Sequence, residues 1–173
     1  MEEALIKRIM PNNQEAEQSV IGSMIMDKDA IVTAMEMLSQ EDFYYQQYGM
    51  LFVAMTELYN AGGTVDLITL QDKLKVMNVP PEISSLEFVR DLLTGVQTSA
   101  NIKAYAKIVK DKSILRRLIK VTEEIENQCY TGQKELEEIL SDTEKNIFQL
   151  LQSRGGGDYV PIKEIVLNAL EKI

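Results

Sequence analysis

Residues 99–132 read SANIKAYAKIVKDKSILRRLIKVTEEIENQCYTG, a run in which neither proline nor glycine appears before Gly132. Helices of ordinary globular length take about 10–14 residues, so this run predicts one long helix. Gly132 breaks it, and Leu136, Leu140, Thr143, Ile147 and Leu150 then recur at spacings of three and four, predicting a second long helix over about 134–153. Together the two arms make an antiparallel helical hairpin over 99–153. The seam of the first arm reads as Ile108, Leu115, Leu118, Thr122 and Ile125, with Ile114, Ile119 and Val121 to the side; Ile139, Phe148 and Leu151 flank the stripe of the second. That apolar surface is wider than one partner helix covers, so the surplus is expected to be buried by the preceding segment, by another subunit or by a different protein.

Upstream, residues 1–11 read as a short arm stopped by Pro11, and 12–98 as a helical head. Asn12 with Glu15 has capping-box spacing, and Ala16, Val20, Ile21, Met24 and Ile25 share a helical face, so a helix is predicted over about 12–26. Ile31, Ala34, Met35 and Leu38 mark a second helix, ended by a polar turn at Ser39-Gln40-Glu41-Asp42. Phe43-Tyr44-Tyr45 and the periodic Tyr48, Leu51, Phe52, Met55, Leu58 and Tyr59 read as core, with Gly62-Gly63 as a turn. Asp66 is placed to cap a helix carrying Leu67, Leu70, Leu74 and Met77, which Pro80-Pro81 ends; Ser84 with Glu87 has capping-box spacing before Leu86, Val89, Leu92 and Leu93. Downstream, Gly155-Gly156-Gly157 make 154–160 a flexible linker. Pro161 then opens an amphipathic helix, 161–173, truncated at the last residue, whose apolar face of Ile162, Ile165, Val166 and Leu170 expects a docking surface elsewhere. The fold class is all-α.

Composition narrows the function. With 45% apolar and 26% charged residues the chain is expected to fold rather than stay disordered. A net charge of −9 repels phosphate backbones, which disfavours direct DNA binding; the one candidate basic patch, Arg116-Arg117 with Lys120, reads as a solvated helix face. No histidine is present, which removes the commonest general base and metal ligand, and serine nucleophiles have no imidazole to activate them. The carboxylate groups Glu15 with Glu17, Glu123-Glu124 with Glu126, and Glu137-Glu138 read as solvated faces. Gly155 to Gly157 are followed by Asp158 where a phosphate-binding loop needs lysine. A lone Cys129, no opening signal-peptide pattern and no apolar run near the roughly 20 residues of a membrane span point to the cytoplasm. The chain is expected to be no enzyme and to hold neither metal nor cofactor.

Several landmarks in fixed order carry a family resemblance. Residues 13–22, NQEAEQSVIG, resemble the opening signature of bacterial replicative DNA helicases. Glu41-Asp42-Phe43-Tyr44, Leu51-Phe52-Val53-Ala54-Met55, Val65-Asp66-Leu67-Ile68-Thr69, Ala100-Asn101-Ile102 through Tyr105-Ala106, and Leu115-Arg116-Arg117-Leu118-Ile119 are similar to the landmarks that follow. Pro80-Pro81 and Ser84-Ser85 depart from it, standing where the family often has glycines. The resemblance implies the amino-terminal domain of such a helicase: a helical head and a hairpin that pairs with a second copy, building a collar of three dimers in a hexameric ring and receiving primase. With the hairpin's apolar surplus, it makes Ile114, Leu118, Ile119 and Ile125 the expected subunit or primase contacts, with Phe88 nearby, and it implies a linker helix docking on the motor domain of the neighbouring subunit. The motor, with its ATP and magnesium, is expected outside this chain. A free-standing helical adaptor without a motor is the alternative.

Overall fold

The structure, a computed structural model, describes residues 8–96 and 98–153. Among them every regular element is helical. Helix α1 (Gln14–Met26) starts where the Asn13 side chain accepts the Ala16 N–H at 2.9 Å, and it ends at Asp27. Asp27 also starts α2 (Lys28–Met37) by accepting the Asp29 N–H at 3.0 Å, so one residue closes one helix and opens the next. A 3-10 turn (Gln40–Asp42) leads into α3 (Gln46–Asn60), which Gly62 ends in the left-handed region at φ 74°. Asp66 caps α4 (Leu67–Val76) through the N–H groups of Ile68 and Thr69, both at 2.9 Å. A single turn, α5 (Pro81–Ser84), precedes α6 (Leu86–Thr94).

Three boundary expectations shift. The cap of α1 is Asn13 rather than Asn12, because the Asn12 amide donates to Met10 O and its carbonyl accepts the Tyr45 hydroxyl. The cap of α6 is Ser85, whose Oγ accepts the Phe88 N–H at 3.2 Å, because Ser84 is the last residue of α5. Pro80-Pro81 do not end α4, which stops at Val76 with Asn78 at φ 53°; Pro81 opens α5, where a missing N–H costs nothing.

The chain divides into two compact units, Met1–Lys120 and Val121–Ile173. In the first, α1 packs on α2, α3 and α6, and α4 packs on α3 and α6. Ile21, Met24, Ile31, Leu51, Met55, Leu70 and Leu74 are fully buried between them, each contributing about 1.5–3 kcal/mol relative to exposure. The α1–α6 contact depends on Gly22, where an added Cβ would meet Val96 Cγ2 at 2.5 Å and the Leu92 carbonyl oxygen at 2.9 Å. Gly22→Ala is therefore expected to destabilise by about 1–3 kcal/mol despite the better helix propensity of alanine. Urea unfolding checks this, and a midpoint at or above wild type would refute the close approach.

A 3-10 turn (Ser99–Asn101) with its Ser99 hydroxyl on Asp27 opens α7 (Ile102–Thr131), 30 residues or about 45 Å long. It ends at Gly132, φ 61°, and α8 (Leu136–Gln152) follows as the second arm of the hairpin. The expected seams need correction. In α7 the buried positions are Ile102, Ala106, Val109, Ser113 and Arg116, while Ile108 and Leu115 are exposed. The inward face turns polar at Ser113 and Arg116, so apolar periodicity drifts off it. In α8 Ile139 and Leu150 are buried and Leu136 and Leu140 exposed; Ile139 belongs to the inward line, not beside it. Residues 1–7 of the expected arm, the linker 154–160 and the linker helix 161–173 lie outside the described residues.

Candidate functional site

The middle of α7 is joined to the segments before it by a cluster of charged groups around Asp42, which is fully buried at the end of the Gln40–Asp42 turn. Its Oδ1 accepts from the Ser113 hydroxyl at 2.7 Å and from Arg117 Nη2 at 2.8 Å. Its Oδ2 accepts from the Ser39 N–H at 2.8 Å and from Lys110 Nζ at 3.1 Å. Lys110, Ser113 and Arg117 lie at spacings of three and four, so one face of α7 presents all three to the carboxylate. Arg116, buried next to them, donates through Nη2 to the Asp42 carbonyl at 2.7 Å and through Nη1 to the Pro11 carbonyl at 2.8 Å. Its guanidinium lies 5.6 Å from the Tyr44 ring centroid.

A second buried carboxylate completes the cluster. Glu17 of α1, 1% exposed, accepts the Tyr44 N–H at 2.9 Å and the Tyr45 N–H at 3.1 Å, fixing the chain between the 3-10 turn and α3. The two acids differ electrostatically. Burial pushes the Glu17 carboxyl above the ordinary carboxylate value, and the two N–H bonds with the charge of Arg116 only partly oppose it. Burial also pushes Asp42 upward, but the bonds from Ser113 and Ser39 and the charge of Lys110 together bring it below its ordinary value. Desolvation lowers the Arg116 pKa against the pull of Glu17 and Asp42, and a guanidinium stays charged regardless.

This arrangement overturns two expectations. Arg116 and Arg117 are not a solvated basic face, and Glu17 is not a surface carboxylate; each neutralises or caps buried polar groups. The polar turn expected at residues 39–42 likewise buries its last residue. A sequence signal existed: Ser113 and Arg116 continue the spacing of Ile102, Ala106 and Val109 by steps of four and three. An arginine on a buried line requires an acid or carbonyls opposite, but nothing local identifies Asp42, 74 positions earlier.

The sequence-chosen contact residues fall in different places. Ile114, Leu118 and Ile119 are half-buried on α7 in the first unit, Ile125 is half-buried in the second, and Phe88 of α6 packs against the core of the first. Ile162, Ile165, Val166 and Leu170 lie outside the described residues. An exposed row runs along α8: Leu136, Leu140 and Phe148 stand on a ridge of four-residue steps through Glu144, with Leu151 beside it; Phe148 and Leu151 were expected among the surplus apolar surface, whereas Leu136 and Leu140 were expected to face inward. These four side chains are 66, 53, 55 and 55% exposed, and Ser141, Glu144, Lys145 and Phe148 line a shallow cavity of about 390 Å³ on that helix. Among the described residues no three His, Cys, Asp or Glu side chains are grouped to hold a metal ion, and no helix is long and apolar enough to cross a membrane.

Comparison with known proteins places these features. The family model described as the DnaB-like helicase N terminal domain matches residues 9–111. The replicative DNA helicase DnaC of Bacillus subtilis (strain 168) is 35% identical over all 173 residues, which span 38% of that protein's length. The N-terminal domain of DnaB helicase from Mycobacterium tuberculosis superposes with a TM-score of 0.76 at 31% identity, covering 81% of this chain and 99% of that one. The N-terminal domain of DnaB helicase from Helicobacter pylori, solved with a study of its interactions with primase, shares the fold at a TM-score of 0.60 and 23% identity, over 68% of this chain and 91% of that one. The helical head, the long α7 and the span of the family match together lead to one conclusion: the chain belongs to the DnaB-like helicase N-terminal domain family.

Proposed function

We propose that this chain is the assembly and partner-docking domain of a replicative DNA helicase, supporting a ring built as a trimer of dimers and binding primase during DNA replication. The exposed row of Leu136, Leu140, Phe148 and Leu151 on α8 carries the reading. Four large apolar side chains on one helix, each more than half exposed, form a patch of the kind that a monomer rarely leaves in water. Family membership supports it, as do the primase interactions studied for the Helicobacter pylori relative. It also favours this reading over a free-standing adaptor. Ile114, Leu118, Ile119, Ile125 and Phe88 are assigned to subunit or primase contact, and Ile162, Ile165, Val166 and Leu170 to docking on a neighbouring subunit's motor. Residues 12–98 act as head, 99–153 as hairpin, and 154–160 as linker. Helicase activity with ATP and magnesium belongs to the longer protein, in the cytoplasm, and no residue of this chain is given a role in it.

Sedimentation tests the assembly. The 173-residue chain is expected to form dimers or larger species as concentration rises, and Leu140→Asp with Phe148→Asp to weaken association by about a hundredfold or more. Ile119→Asp is expected to weaken binding of the helicase-binding domain of primase. A strict monomer at high concentration, together with an Ile119→Asp variant that binds primase normally, would refute the reading.

A further inference from the structure

We propose that the cavity of about 250 Å³ lined by Glu41, Ser113, Arg116, Arg117 and Lys120 accepts a carboxylate from an acidic segment of a partner protein. The cavity lies in the first unit, apart from the α8 row, and nothing in the assembly reading uses it. Three of its five lining residues are cationic on a chain whose net charge is −9. Counting the charged groups in and behind its wall, Lys110, Arg116, Arg117 and Lys120 face Glu17, Glu41 and Asp42, four cations against three anions. The inner acids are already bonded, Asp42 to Ser39, Lys110, Ser113 and Arg117, and Glu17 to two backbone N–H groups. The surplus positive charge therefore sits at the mouth.

The mouth has the groups that an oxyanion needs. Arg117 keeps 31% of its side chain exposed while bound to Asp42, so its planar fork is held in place by that bond and still meets solvent. Lys120 is exposed and, among the described residues, forms no ion pair. Such preorganisation lowers the ordering cost of capturing an anion. A nucleic-acid strand fits less well than a peptide carboxylate: binding a polyanion requires a row of cations that releases many counterions, whereas here the cations are confined to one cavity on an acidic chain.

Fluorescence anisotropy of the 173-residue chain with labelled oligoglutamate at low ionic strength tests this, with oligoglutamine and oligothymidylate as competitors. Oligoglutamate is expected to bind and to be displaced by neither competitor. Lys120→Glu is expected to weaken it about tenfold, and Glu41→Gln to tighten it about two- to fivefold. Both positions are exposed, so both variants should keep the wild-type circular dichroism and melting temperature. Absence of oligoglutamate binding, equal binding by the two variants, or equal or tighter binding of oligothymidylate would overturn the proposal. None of these results depends on self-association or primase binding, which the α8 and Ile119 variants test separately.

Discussion

Asp42→Ala is expected to be among the most damaging single substitutions in the chain, lowering unfolding stability by about 3–5 kcal/mol. The loss exceeds that of the bonds themselves because of what stays behind. Without the carboxylate, Lys110 and Arg117 face each other across a partly buried space, at 18% and 31% side-chain exposure, and the Ser113 hydroxyl and the Ser39 N–H lose their acceptor. Denaturant unfolding measures the effect, and hydrogen exchange should show early opening where α7 meets the 3-10 turn. Asp42→Asn keeps the shape and removes the charge, so pH separates the two contributions. The folded carboxyl of Asp42 lies below its ordinary 3.8, so its stabilisation is fully present above that value and is lost as pH falls through the lowered folded value. The gap between wild type and Asp42→Asn should therefore be constant near neutrality and close in acid. Glu17 gives the opposite sign: its folded value lies above its ordinary 4.5, so its contribution is fullest below that pH and declines as pH rises through the raised folded value. The gap between wild type and Glu17→Gln should shrink with rising pH. Parallel slopes for the two pairs would contradict the electrostatic description of the cluster.

Arg116→Ala is the second large effect, with an expected loss of about 2–4 kcal/mol, because each hydrogen bond to a charged group contributes about 1.5–3 kcal/mol. Arg116 links three segments by bonding the Pro11 and Asp42 carbonyls and lying over Tyr44. It is also the charge that opposes the desolvation of Glu17. Arg116→Lys should recover less than half of the loss, since one ammonium cannot span both carbonyls and stack on the ring. Arg116→Met keeps much of the volume and tests whether packing alone suffices. A lysine variant as stable as wild type would show that only the charge matters, and a methionine variant as stable would show that neither charge nor bonding does.

Much of the helical architecture was legible from local rules. Asp66 capping α4, Gly62 and Gly132 at helix ends, and the unbroken run to Thr131 each depend on residues close together in sequence. The same rules missed Asn13 and Ser85 by one position, because capping spacing alone does not show which neighbouring side chain is already engaged. The α8 row shows a different failure: two apolar lines share that helix, and periodicity does not say which one faces inward. The contact residues chosen on α7 came from apolar periodicity and family resemblance together and are half-buried, while exposure singles out the row on α8.

By itself, then, the sequence determined that the described chain is helical, where most helices begin and end, and which landmarks tie it to its family, because capping, periodicity and chain-breaking act over a few residues. Only the tertiary structure decided that Glu17, Asp42 and Arg116 are buried and that Leu140 and Phe148 are exposed. The physical reason is that burial is settled by partners distant in sequence. Asp42 meets Arg117 across 75 positions, and a charge that looks solvated in isolation becomes the anchor of a helix once its counter-charges arrive from a segment distant in sequence.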